Sequence, residues 1–247
     1  MVSKIRENLR QVREAITRAA LRAGRDPTEV QLVAVTKGVP VEVIEQVLAE
    51  GVVDLGENRV QELVAKYKLL GDKAKWHFIG YLQRNKVKYL VRRIALLHSL
   101  DRWSLAQELD RWGQREGFVF PALVQVNVAR EPQKHGLLEE EVEDFLLAVR
   151  SLKGVKVLGF MTVAPWVAEA EEVRPVFRRL AEIAQRYTCL PGVEIRYLSM
   201  GMTQDFEVAV EEGANIVRVG RAIFQGLGEG EGDEQASGGQ GAGLHRF

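Results

Sequence analysis

Lys37 follows directly on the apolar run Leu32-Val33-Ala34-Val35-Thr36, and far downstream the chain carries Leu198-Ser199-Met200-Gly201-Met202 and Val217-Arg218-Val219-Gly220. A lysine amine at a strand end can condense with an aldehyde to form a Schiff base, and partial burial beside a cation would free its lone pair. Ser199 to Thr203 joins a hydroxyl to the successive N–H groups of a glycine-containing turn, which is the make-up of an anion site. Gly220 lets backbone approach a ligand closely. Arg218 can either bind a phosphate or face a ring nitrogen. An arginine keeps its proton, so beside a pyridine nitrogen it would leave that nitrogen unprotonated and weaken the ring as an electron sink. Together these groups suggest a pyridoxal phosphate (PLP) site. Singly, each has an ordinary explanation: an exposed lysine, a strand–helix turn capped by Thr203, and an ion pair from Arg218 to Glu211 or Glu212.

The elements that must hold these residues show in the patterning. Residues 3–22 place Ile5, Leu9, Val12, Ile16 and Ala20 on one stripe, with Gly24 as a stop, so an amphipathic N-terminal helix is predicted. Eight short apolar runs follow, near 31–36, 52–55, 76–79, 94–98, 120–128, 155–160, 194–198 and 215–219. The first is continuous, as in a strand covered on both faces. The fifth alternates, with Gln125 and Asn127 between valines, and so could present polar groups near its end. Helical stripes separate the runs: Ile44 to Leu48, Val60 to Tyr67, Leu105 to Trp112, Val142 to Val149, Val173 to Tyr187, and Phe206 to Val210. For the last of these Thr203 is the expected N-cap, with Asp205 near the positive end of its dipole. Strand–helix alternation means a parallel sheet, and eight repeats favour one closed (β/α)8 TIM-type barrel with an extra N-terminal helix. An open doubly wound sheet is the alternative, weakened because no Gly-x-Gly-x-x-Gly follows the first run. The barrel is expected over 1–226. Residues 227–247 turn to Gly, Glu, Gln and Ser and read as a low-complexity disordered tail.

Composition narrows the partners. With 34 basic and 34 acidic residues the formal charge is zero, which argues against nucleic acid or a membrane surface held by bulk electrostatics. The basic cluster Arg84, Lys86, Lys88, Arg92 and Arg93 reads as a solvated helix face. One cysteine, Cys189, excludes an internal disulfide and fits a reducing compartment. No run is long enough for a membrane span, so a cytoplasmic protein is expected. Carboxylates, His and Cys do not cluster at metal-ligand spacing, so no metal site is expected. His77, on an apolar strand, reads first as a satisfied core histidine.

Several of these segments are recognisable. Ala34-Val35-Thr36-Lys37, Gly56-Glu57-Asn58-Arg59-Val60-Gln61-Glu62, Trp76 to Lys86, Leu198 to Asp205 and Val217 to Gly220, in that order, resemble the YggS/PROSC family of pyridoxal phosphate homeostasis proteins. The resemblance implies a single barrel similar to the N-terminal domain of alanine racemase, with PLP at the strand C-termini. By it Lys37 is the Schiff-base lysine, and Ser199, Gly201, Gly220 and Arg221 hold the phosphate. Arg218 faces the pyridine nitrogen, Asn58 and Met161 line the ring pocket, and His77 shapes the pocket. Arg221 departs from the small or hydroxyl residue usual in the family, as do Gln133 from Ser and Gln225 from Gly; Lys134 matches.

The implied role is a monomeric, non-enzymatic PLP carrier with PLP-dependent apoenzymes as candidate recipients. The competing role is a PLP-dependent amino-acid racemase. Racemisation needs a second acid/base group on the ring face opposite the lysine, and removing one such group loses about 10²–10⁴-fold in rate. None of Tyr67, Tyr81, Tyr89, Tyr187 or Tyr197 stands in a segment marking it for that role, and the tail leaves no evident room for a further domain. The carrier is therefore preferred.

Overall fold

A computed structural model describes residues 3–227. The expected disordered tail, including His245, lies outside the described residues except for Leu227. Eight strands run β1 (Gln31–Val35), β2 (Asp54–Glu57), β3 (Lys75–Phe78), β4 (Leu96–Leu100), β5 (Phe120–Gln125), β6 (Val155–Met161), β7 (Tyr197–Ser199) and β8 (Ile216–Val219). They pair in parallel in sequence order and close into a barrel, β1 meeting β8 through Gln31 to Ala34 against Ile216 to Val219. The eight apolar runs are these eight strands.

The helices are α1 (Lys4–Arg22), α2 (Val41–Ala49), α3 (Val60–Leu70), α4 (Trp103–Glu116), α5 (Val142–Val149), α6 (Arg174–Arg186), α7 (Phe206–Glu211) and α8 (Arg221–Phe224). All five apolar-stripe residues of α1 are buried, and the Ser3 hydroxyl caps its start by accepting from the Arg6 N–H at 3.2 Å. Asn8, on the same face, donates to the carbonyls of Ile223 and Gln225 at 2.9 and 3.0 Å, which ties α1 to the end of α8. Arg22 and Arg174 both pair with Glu211, joining α1, α6 and α7 through charge.

Alternation of side chains divides the packing into two apolar layers. The larger lies between the barrel wall and the helices, with Leu55, Trp76, Phe78 and Phe160 meeting Ile44, Leu63, Leu109 and Phe177. The smaller fills the barrel and holds Val33, Leu96, Leu123, Met161 and Ile216. Polar side chains also point inward: His77, His98, Ser199 and Arg218 are all buried there.

Several details depart from expectation. The basic segment does not form an α-helical face: β3 and β4 are joined by a 3-10 stretch, Arg84–Tyr89. Arg92, beyond it, has φ 55° and donates to the carbonyls of Glu116 and Gly117 at the end of α4, where a cation is favoured. The fifth strand stops at Gln125, where backbone pairing passes to the following loop: the Leu137 N–H donates to the Gln125 carbonyl and the Asn127 N–H to the Leu137 carbonyl, each at 2.9 Å. Thr203 does not cap α7; Asp205 occupies the N-cap position, and its side chain turns back to accept the Met202 N–H at 2.5 Å.

Candidate functional site

A cavity of about 850 Å³ opens where β1, β6, β7 and β8 end, lined by Lys37, Lys134, Thr203, Arg218, Gly220 and Arg221 among others. This is the C-terminal face, where loop-borne groups converge in barrels of this type. The volume is in the range that encloses a cofactor-sized molecule.

Lys37 stands two residues beyond the end of β1 and is exposed, so the partial burial expected from sequence is not met. Its placement is nonetheless fixed from below. Lys66 of α3 donates to the Thr36 carbonyl at 2.6 Å and to Glu57 Oε1 at 2.7 Å, while the Thr36 hydroxyl donates to the same carboxylate oxygen at 2.6 Å. Burial raises the Glu57 pKa, opposed by the bonds from Lys66 and Thr36. The cluster pins the backbone immediately before Lys37. Its sequence signal was a lysine lying on the apolar stripe of α3, between Leu63 and Leu70.

Arg218, from β8, is only 4 % exposed yet reaches the cavity. The surface ion pair with Glu211 or Glu212 does not form; those carboxylates pair instead with Arg22, Arg174 and Arg178. Arg218 donates through Nη1 to the Ser199 hydroxyl at 2.5 Å and through Nη2 to the Thr162 carbonyl at 2.8 Å. Burial lowers its pKa to about 10, against a smaller opposite pull from Asp205. It remains a cation at neutral pH.

The phosphate-side candidates divide into two kinds. Arg221 is exposed on the cavity wall, and Lys134 lines it as well, donating to the Ala164 carbonyl at 3.0 Å. Gly220 brings backbone close to β1: an added Cβ would stand 3.3 Å from both Val35 Cβ and the Val35 carbonyl oxygen. Ser199 and Gly201 are buried behind this wall. The Ser199 hydroxyl is engaged by Arg218 and by His98 Nδ1 at 2.8 Å. Gly201 has φ +89°, and a Cβ there would lie 2.6 Å from Ala209 Cβ and 2.8 Å from Phe206 Cα, so the turn and its packing on α7 require glycine.

The ring-pocket candidates separate likewise. Asn58, just past β2, carries a buried amide oxygen with no hydrogen-bond partner among the described residues. Met161 is 1 % exposed and packs in the inner apolar layer. His77 is buried in the barrel rather than on the cavity wall, bonded to His98 and Asp54. Neither His98 nor Asp54 was singled out as a partner from sequence. Trp166, 79 % exposed, and Met202 form part of the cavity lining, also unanticipated. Among the described residues no group of three or more His, Cys, Asp or Glu is placed to hold a metal ion.

A sequence model of the alanine racemase N-terminal domain matches residues 2–227. The chain therefore belongs to the alanine racemase N-terminal domain family. A pyridoxal phosphate homeostasis protein of Aquifex aeolicus is 44% identical over 219 residues, 88% of this chain and 96% of the relative. PipY of Synechococcus elongatus, solved with PLP bound, is 33% identical with a TM-score of 0.77, covering 89% of this chain and 99% of that one. An alanine racemase from Clostridium difficile shares the fold at 16% identity and a TM-score of 0.73; 94% of this chain aligns with 61% of it.

Proposed function

We propose that the protein binds PLP reversibly as a Schiff base on Lys37 and serves intracellular PLP homeostasis as a carrier with no turnover of its own. The observation that carries this reading is the meeting of Lys37 and the buried Arg218 on one cavity at the C-terminal face of the barrel. The donor set fits the cofactor: an amine for an aldehyde, cations and close-approaching backbone for a phosphate, and a guanidinium for a ring nitrogen. Relatives named as PLP homeostasis proteins, and PipY solved with PLP, support it.

Bound PLP supplies an aldehyde conjugated to an electron-withdrawing ring. Lys37, open to solvent, offers its amine through the cavity mouth. Arg221 and Lys134 supply positive charge for the phosphate, with Gly220 allowing backbone to come close. Ser199 and Gly201 shape that side from behind, Ser199 by holding Arg218 and Gly201 by fixing the turn. Arg218 has N–H groups left over that would face the ring nitrogen and, as a cation, it would leave that nitrogen without a proton. Asn58 borders the ring side, and Met161 supports it from the barrel interior. All five tyrosines lie off the cavity lining, which favours a carrier over a racemase. The reading makes the protein cytoplasmic and monomeric, with PLP-dependent apoenzymes as recipients. Gel filtration giving a mass near 27.7 kDa tests the monomer.

Lys37→Ala is expected to abolish the visible absorption of the PLP-loaded protein while leaving its circular dichroism intact. Retention of that absorption would remove Lys37 from the role. Sustained alanine racemisation by the purified wild-type protein would overturn the claim of no turnover.

A further inference from the structure

A single row of hydrogen bonds crosses the barrel interior. It starts at Asp54, the first residue of β2, and passes through His77 of β3 and His98 of β4 to Ser199 at the end of β7 and Arg218 of β8. The links are Asp54 Oδ1 to His77 Nε2 at 3.0 Å, His77 Nδ1 to His98 Nε2 at 2.9 Å, His98 Nδ1 to the Ser199 hydroxyl at 2.8 Å, and Ser199 to Arg218 Nη1 at 2.5 Å. Asp54 has a side chain 16% exposed at the opposite end of the strands from the cavity. The other members are nearly or wholly buried.

The two ends decide the direction of every proton between them. A guanidinium only donates, and a carboxylate only accepts. With both imidazoles neutral, His77 must carry its proton on Nε2 to donate to Asp54, which leaves its Nδ1 to accept. His98 then carries its proton on Nε2 to donate to His77, and its bare Nδ1 accepts from Ser199. The Ser199 oxygen in turn accepts from Arg218. All four bonds point from the cation to the carboxylate, and no other neutral arrangement satisfies them all. The Ser199 proton is thereby turned away from the cavity.

We infer that Asp54, His77 and His98 are positioning residues for Arg218. By holding the Ser199 hydroxyl as an acceptor they anchor one arm of the guanidinium, while the Thr162 carbonyl anchors the other, and the remaining N–H groups are presented to the ligand. The part of this inference that concerns PLP rests on the reading proposed above; the proton order within the barrel does not.

Two measurements test it separately. In the PLP-free protein with 15N-labelled histidine, two-bond correlation spectra at neutral pH are expected to show His77 and His98 both neutral and both protonated on Nε2. A doubly protonated His77, or His98 protonated on Nδ1, would reverse the row and overturn the inference. In the PLP-loaded protein, Asp54→Ala is expected to mix the His77 tautomers and weaken PLP binding several-fold across the full depth of the barrel. His98→Leu is expected to weaken it by roughly tenfold, as for loss of a charge-assisted bond, and to shift the pH midpoint of the visible absorption. Should His98→Leu fail to fold, Asp54→Ala at the more exposed end carries the test alone. Unchanged affinity and midpoint in a folded variant would reduce the row to a packing element and sink the positioning role. If borohydride fails to trap PLP on wild-type Lys37 while the tautomers are as stated, the functional reading fails and the proton order stands.

Discussion

At the scale of single residues, the site separates groups that can touch a ligand from groups that hold them. Lys37, Arg218 and Arg221 line the cavity, whereas Ser199 is 0 % exposed and spends its hydroxyl on Arg218 and His98. Ser199→Ala therefore leaves two buried polar partners short of a bond, and a loss of about 1–3 kcal/mol of unfolding free energy is expected in urea titrations of the PLP-free protein. A variant as stable as wild type would place that hydroxyl elsewhere. Arg221→Ala, on the exposed wall, is expected to leave stability unchanged and to weaken PLP binding about tenfold in low salt, less at high ionic strength; equal affinity with and without the guanidinium would exclude it from phosphate contact. Lys37 and Arg218 were legible because each stands in or just past an apolar run that marks a strand. The bonds among the buried partners were not: His77, His98 and Ser199 lie 21 and 101 positions apart in successive links. No local periodicity connects residues so distant.

At the scale of elements, the strands were legible because each is apolar on faces covered both by helices and by its neighbours across the barrel. Their ends were less so. β7 has only three residues, since Glu194 and Arg196 before it bond singly to the carbonyls of Val157 and Leu158 without forming a regular ladder. The turn after it was read as capped by Thr203, but the cap geometry belongs to Asp205, whose carboxylate closes the turn on Met202. That turn depends on Gly201. Gly201→Ala is expected to lower stability by about 1–3 kcal/mol through its positive φ and the clash with Ala209 and Phe206. A thermal midpoint equal to wild type would show that the loop relaxes without cost.

At the scale of the whole molecule, the polar row inside the barrel ties stability to pH. Burial first, then His77 and Arg218, push the His98 pKa well below its ordinary 6.5. The unfolded chain takes up a proton there that the folded barrel refuses. The His98 contribution to stability is therefore full above pH 6.5 and is lost at up to about 1.4 kcal/mol per pH unit as the solution is acidified below it. Burial raises Glu57, Asp101 and Asp205, so these carboxyls act with the opposite sign: the folded state holds their protons more tightly. The difference in slope between wild type and His98→Leu isolates the histidine, and identical slopes would show that His98 takes a proton within the barrel.

Capture of the PLP aldehyde is assigned to one amine, that of Lys37, two residues beyond β1. Borohydride reduction of the PLP-loaded protein, followed by digestion and peptide mapping, reads the site of attachment directly. A pyridoxyl group is expected on the peptide containing Lys37. A label found chiefly on Lys134 or any other lysine, with Lys37 unmodified, would contradict it.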